Sequence, residues 1–311
     1  MRIYETGKFL NRSEVAFGAI AGLLSLLWPA VAISKSVNIE HGLTALAFAL
    51  QVGLILLGIY MRIRHQSELF ARFLIALGLY LIFVTSVANL IEMRFPVDAL
   101  RLDPILQASD DFLSYNWSNS IVWLAAWPDV GNTLAIVYST SLYQLVIVMA
   151  VLAFSGAGIP LYRYLATAAV SLFITVTIWM IWPSFGPAIS QTIPNESNIE
   201  MTIVVDSSYQ KEMLRRISEG PSSVPPTTTL GLIAFPSYHT VMMLLVIVYA
   251  WRTVAGWPLF LFNIPMLPAI LLQGAHYIAD VVAGLIVFLF SAWLAKKIVV
   301  KPARVKSPER L

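Results

Sequence analysis

The chain is 311 residues long, 58% hydrophobic and only 12% charged, with a mean hydropathy of +0.76. An ordinary soluble domain is about a quarter charged, so this composition excludes one and points to an integral membrane protein. The long unbroken apolar runs exclude a barrel and make the spans helical. Cysteine is absent, which rules out disulfides, thiolate nucleophiles and cysteine-ligated metals. A net charge of +3 spread beside the apolar runs gives little support for nucleic-acid binding.

A transmembrane helix needs about 20 mostly apolar residues. Eight stretches are predicted as spans: 14–34, 42–61, 70–91, 134–155, 164–183, 239–256, 258–275 and 280–299, the last three short and crowded. Arg2, Lys8 and Arg12 precede a first run that ends in Ala30, Val31 and Ala32, which mimics a signal peptide. That run exceeds the usual apolar core of about 7 to 15 residues, which favours a retained anchor. The fold class is therefore an all-α polytopic membrane protein, and residues 1–311 form one membrane domain. Its parts are N-terminal spans over 1–91, an outer interfacial loop over 92–133, a core over 134–299 containing an outer loop at 184–236, and a basic cytoplasmic tail over 300–311.

In the first outer loop, Asp103 before Pro104 is a helix-start signal. Trp117, Trp123 and Trp127 suit the headgroup layer, where an amphipathic ring sits half wet. The second outer loop predicts a short helix from Asp206 or Ser207 to Ser218, followed by the Pro/Ser/Thr stretch EGPSSVPPTTTLG. A loop of that length within a compact protein reads as a lid, a binding loop or disorder. Arg12, Arg62, Arg64, Arg163, Arg252 and the cluster Lys296, Lys297, Lys301, Arg304, Lys306 and Arg310 place both termini on the cytoplasmic side.

Two of the four histidines lie where an apolar run meets a polar segment, in FPSYHT and GAHYIAD. They precede the sixth and eighth spans, so span parity puts both on the extracytoplasmic side. A helix starting near His239 with Ser237 at its cap points its first backbone donors outward, an anion site by geometry. Ser237 can add a hydroxyl donor, and Ser237 and Tyr238 are both candidate substrate-binding residues. His276 and Asp280 are four residues apart, so on a helix they share a face and the carboxylate holds the imidazole by one nitrogen. That arrangement makes a competent nucleophile or base, although such a pair can also simply join two helices.

The two segments, Pro236-Ser237-x-His239 and Gly274-x-His276-Tyr277-x-x-Asp280-x-x-x-Gly284, resemble the second and third motifs of the type 2 phosphatidic acid phosphatase superfamily. The close resemblance spans roughly the last 130 residues. It implies a six-helix core, with His276 as nucleophile, Asp280 as its orienter, His239 as general acid and then base, and Ser237 as a phosphate donor. It also implies no metal and no other cofactor. Bottom-up, no cluster of carboxylates accompanies the histidines to build a metal cage.

Two departures stand out. The superfamily's lysine-then-Arg-Pro first motif has no match, the segment Trp182-Pro183-Ser184-Phe185-Gly186-Pro187 standing near its place. Ala269 and Ile270 occupy the register of the Ser-Arg pair before the third motif's histidine. A guanidinium is the natural partner of phosphoryl oxygens, so another cation is expected, and Lys211, Arg215 and Arg216 are the nearest candidates in sequence. A solvated helix face explains those three equally. The missing arginines make the chain look more like the inositol phosphorylceramide synthase branch than a lipid phosphatase. The expected partners are the bilayer and a phosphorylated lipid substrate, at the extracytoplasmic face of a bacterial inner membrane. Hydrolysis, headgroup transfer and a non-catalytic membrane role all stay open.

Overall fold

The computed structural model describes residues 10–97, 101–221 and 231–299. Arg2, Lys8, the terminal cluster from Lys301 onward and most of the Pro/Ser/Thr stretch lie outside them. The fold is all-helical, with no strand among the described residues. Three long helices open the chain: α1 (Arg12–Ser34), α2 (His41–Ile63) and α3 (Glu68–Glu92). Three short ones follow, α4 (Asp103–Phe112), α5 (Trp117–Leu124) and α6 (Pro128–Ser139). Then come α7 (Ser141–Phe154), α8 (Gly158–Ile181), α9 (Ser207–Glu219) and α10 (Tyr238–Ala250). The last three are α11 (Gly256–Asn263), α12 (Met266–Leu272) and α13 (Ile278–Ile298).

Among the described residues, five helices are long and apolar enough to cross a membrane, and six if the bent pair α6 and α7 counts as one span. Each of the eight predicted spans contains helix, but the sixth is helical only to Ala250 and the seventh is interrupted, and the count of eight is not confirmed. Thirteen residues of α10 reach about 20 Å, short of a hydrocarbon core of about 30 Å. The predicted span over 258–275 is broken near Pro265 into α11 and α12, because proline cannot donate to the helix ladder. The first outer loop is largely helical: Pro104 starts α4 as predicted, but Trp117 is 2% exposed, its indole N–H donating to the Leu272 carbonyl at 2.8 Å. Only Trp123 and Trp127 stay exposed.

Burial grades inward across the N-terminal helices. α1 and α2 present mostly exposed apolar side chains, as lipid-facing helices do, whereas α3 buries Ile75, Leu79, Phe83 and Val87 in the main core. At the end of the bundle that holds the start of α1, Glu14 grips Arg62 through two bonds of 2.7 and 3.0 Å, and Arg62 reaches Glu68 through two more of 2.9 and 3.0 Å. The Tyr162 hydroxyl of α8 donates to the same Glu14 at 2.7 Å, tying the first helices to the later ones. At the opposite end, Lys35 bonds the Met93 carbonyl at 2.6 Å and Arg94 that of Met180 at 3.2 Å. The starts of α10 and α13 lie at this second end.

Candidate active site

Helix α10 begins as predicted. Ser237 is its cap, the hydroxyl oxygen accepting the Thr240 N–H at 3.3 Å. The Ser237 N–H in turn donates to the Asp280 carbonyl at 3.0 Å, so the two motifs are stitched backbone to backbone. The close approach needs Gly284, where a Cβ would sit 2.4 Å from the Ser237 carbonyl oxygen.

His276 and Asp280 meet, but not on one helical face. Helix α13 starts at Ile278, and Ala275 with φ of 48° turns the chain just before it, so His276 precedes the helix and Asp280 occupies its first turn. One carboxylate oxygen of Asp280 accepts the Tyr277 N–H at 2.9 Å and lies 3.1 Å from His276 Nδ1. A carboxylate in the first turn satisfies orphan helix donors and complements the helix dipole. His276 is 2% and Asp280 0% exposed, so the pair is insulated from water.

The two imidazoles converge. Their ring centroids are 5.9 Å apart at an interplanar angle of 64°. Against the other side of His239 lies Tyr138, stacked at 4.1 Å with its hydroxyl 3.3 Å from His239 Nδ1. Gly274 makes room for it: a Cβ there would stand 2.5 Å from the Tyr138 ring. Both histidines border a cavity of about 410 Å³ whose wall is mostly apolar.

Helix α4 braces this centre from outside. Asp103, Leu106 and Asp110 are its buried face, spaced three and four residues apart. The Asp103 carboxylate accepts the N–H groups of Phe185 and Gly186 at 2.8 and 3.1 Å and the Ser184 hydroxyl at 3.1 Å, so it organises the segment standing where the first motif is missing. Burial pushes the Asp103 carboxyl up, and the Phe185 N–H works against it. Gly186, with φ of 85°, packs on the loop before His276, where a Cβ would fall 2.2 Å from the Ala275 carbonyl oxygen. Asp110 accepts the Ile278 N–H at 3.1 Å and so caps α13 beside the His276–Asp280 pair. Burial and then the nearby Asp280 charge push Asp110 up to about 6, against the pull of the Ile278 N–H.

The other predicted residues are placed differently. Ser237 is fully buried and is not among the residues lining the cavity, whereas Tyr238 edges the cavity while its hydroxyl donates to the Ala168 carbonyl of α8 at 3.2 Å. Helix α9 forms as predicted from Ser207, but its cations are not brought to the cavity. Lys211 is exposed; Arg215 pairs with Glu212 at 2.8 Å and Glu219 at 3.7 Å; Arg216 pairs with Glu92 and with Glu212 at 2.7 Å. The two guanidiniums, Arg215 first, hold the Glu212 carboxyl down to about 2. Among the described residues no lysine or arginine lines the cavity. Ala269 and Ile270, in the register of the absent Ser-Arg pair, are fully buried.

The fold and the site together define a polytopic membrane protein with paired histidines at converging helix starts. A family model described as the PAP2 superfamily matches residues 104–294, more than half of the chain, and the chain belongs to that superfamily. Its members are generally phosphatases or phosphotransferases. No curated protein and no solved structure matched the chain.

Proposed function

We propose that the chain is a lipid phosphatase acting at the extracytoplasmic leaflet through a phosphohistidine, without a metal. The observation that carries this reading is the pair of imidazoles 5.9 Å apart, one of them held by a buried carboxylate. His276 Nε2 attacks phosphorus while Asp280 fixes Nδ1 and stabilises the charge that develops. His239 gives its Nε2 proton to the departing lipid oxygen, so the products of the first step are a lipid alcohol and phosphohistidine. The now neutral His239 takes a proton from water, which attacks phosphorus, releases phosphate and restores His276. Backbone donors in the first turn of α10 face the phosphoryl oxygens. For metal independence, support comes from the donor set: among the described residues no group of three or more His, Asp or Glu is arranged so that it could hold a metal ion. For the leaflet, it comes from Arg12, Arg62 and Arg163, which sit at the opposite end of the bundle.

A second reading, transfer of a phosphoryl headgroup to a lipid alcohol, is favoured by the cavity wall. With no guanidinium among its described residues, the site stabilises a dianionic monoester poorly and a monoanionic diester better. An apolar wall also limits water, leaving an alcohol to resolve the phosphohistidine. Incubation with a labelled panel of phosphorylated lipids, with and without an alcohol acceptor, separates the two by product. His276→Ala abolishes both activities; full turnover by that variant refutes the nucleophile assignment. Absence of turnover on every lipid, with and without acceptor, favours a non-catalytic role.

A further inference from the structure

Five residues of the cavity wall, Tyr80, Val84, Val87, Ala88 and Ile91, come from α3, which lies entirely before the stretch matched by the family model. Their spacing of four, three, one and three puts them on one helical face. Eleven residues of α-helix rise about 16 Å, roughly half the thickness of a hydrocarbon core. The cavity therefore extends along α3 from near its end at Glu92 down toward the bilayer centre. The same cavity is lined by Leu142 of α7, an apolar side chain that is 56% exposed, and by His276, which is 2% exposed. One cavity thus joins an exposed apolar surface to the buried imidazole.

We propose that this slot holds a hydrocarbon chain of the phosphorylated lipid, which enters beside Leu142, and that Val84, Ala88 and Leu142 select the chain by its bulk. The proposal rests on the catalytic reading above for the identity of the lipid. A chain leaving the bilayer gains little by apolar burial, because lipid tails are as apolar as the wall. The slot consequently acts through shape and orientation, which makes α3 a specificity element of the site rather than an appended anchor.

The test is photolabelling of the full chain in bilayers by a phosphatidate carrying a diazirine halfway along one acyl chain. Label on residues 84–91 of α3 and on Leu142 is expected; label confined to α1, α2 or the outer faces of α13 overturns the slot. Labelling needs no turnover, so a chain labelled on α3 yet never cleaved keeps the slot and sinks the catalytic reading. As a second measurement, Ala88→Trp should lower the ratio of kcat/KM for a long-chain over a four-carbon alkyl phosphate about tenfold, as expected when a pocket is filled. An unchanged ratio overturns the assignment, and the labelling result stands whether or not that variant folds.

Discussion

Two clusters of carboxylates, one at each end of the bundle, are built in opposite ways. At one end Glu14, Arg62, Glu68 and Tyr162 satisfy one another, each charge facing an opposite charge, and the result is a staple between helices. At the other, around the histidines, Asp103, Asp110 and Asp280 accept from backbone N–H groups, a serine hydroxyl and an imidazole. A carboxylate neutralised by a guanidinium has no chemistry left to lend. One that holds backbone donors and a ring nitrogen keeps its charge available to the imidazole.

Asp280→Asn tests the chemical end most severely. The amide keeps the shape but not the charge that steadies His276, and turnover should fall about 10²- to 10⁴-fold with little change in thermal midpoint. A loss under threefold would detach Asp280 from the reaction. Arg62→Ala tests the mechanical end: it removes the counter-ion of Glu14, which is 1% exposed, at a cost of about 3 to 5 kcal/mol. Thermal unfolding in detergent should show that loss, while kcat of the folded fraction stays put. If kcat falls with stability, the two ends are coupled and the contrast fails.

Asp110→Asn probes the bracing layer through pH. Asp110 sits at about 6 in the folded chain, above the usual carboxylate near 4. Between those values the folded state binds the proton more tightly, so the group's contribution is fully present below pH 4. It is lost as pH rises through 6, by on the order of 2 kcal/mol. The asparagine oxygen can still accept the Ile278 N–H without a charge to bury. Relative to the parent, the variant should gain stability from pH 4 to 7 and hold it above; a difference that does not vary with pH contradicts the assignment.

Much of this was legible in the sequence, and the limits have physical causes. Apolar runs announce helices, and the Ser237 cap and the α9 start are local chemistry; His239 and His276 do meet, but the two crossings counted between them are a helix of 13 residues and a broken one. The span count failed where a run of 13 residues is apolar enough but too short, and where Pro265 interrupts another. Asp110 carried a readable signal, since 103, 106 and 110 share a helical face, but its partner at Ile278 lies 168 residues away. Arg216 looked available because Glu92, 124 residues earlier, gave no sequence hint of claiming it. Tyr138 had no signal at all: an apolar helix end reads as core until folding brings it against His239.

Tyr138→Phe carries the smallest expected change and the most specific one. The stacked ring at 4.1 Å stays, and only the oxygen 3.3 Å from His239 Nδ1 is lost. If that hydroxyl accepts a hydrogen bond from Nδ1–H, it commits Nε2 as the nitrogen that gives up and regains a proton in the proposed mechanism, and it favours the charged imidazole that the proposed first step needs. Tyr138 is then a positioning residue, acting through His239. Its loss should lower kcat about tenfold, the scale of one hydrogen bond to a charged group, with KM nearly constant. The alkaline limb of kcat/KM should move to lower pH, because His239 surrenders its proton sooner. A merely structural tyrosine would move the thermal midpoint and leave the pH profile where it was.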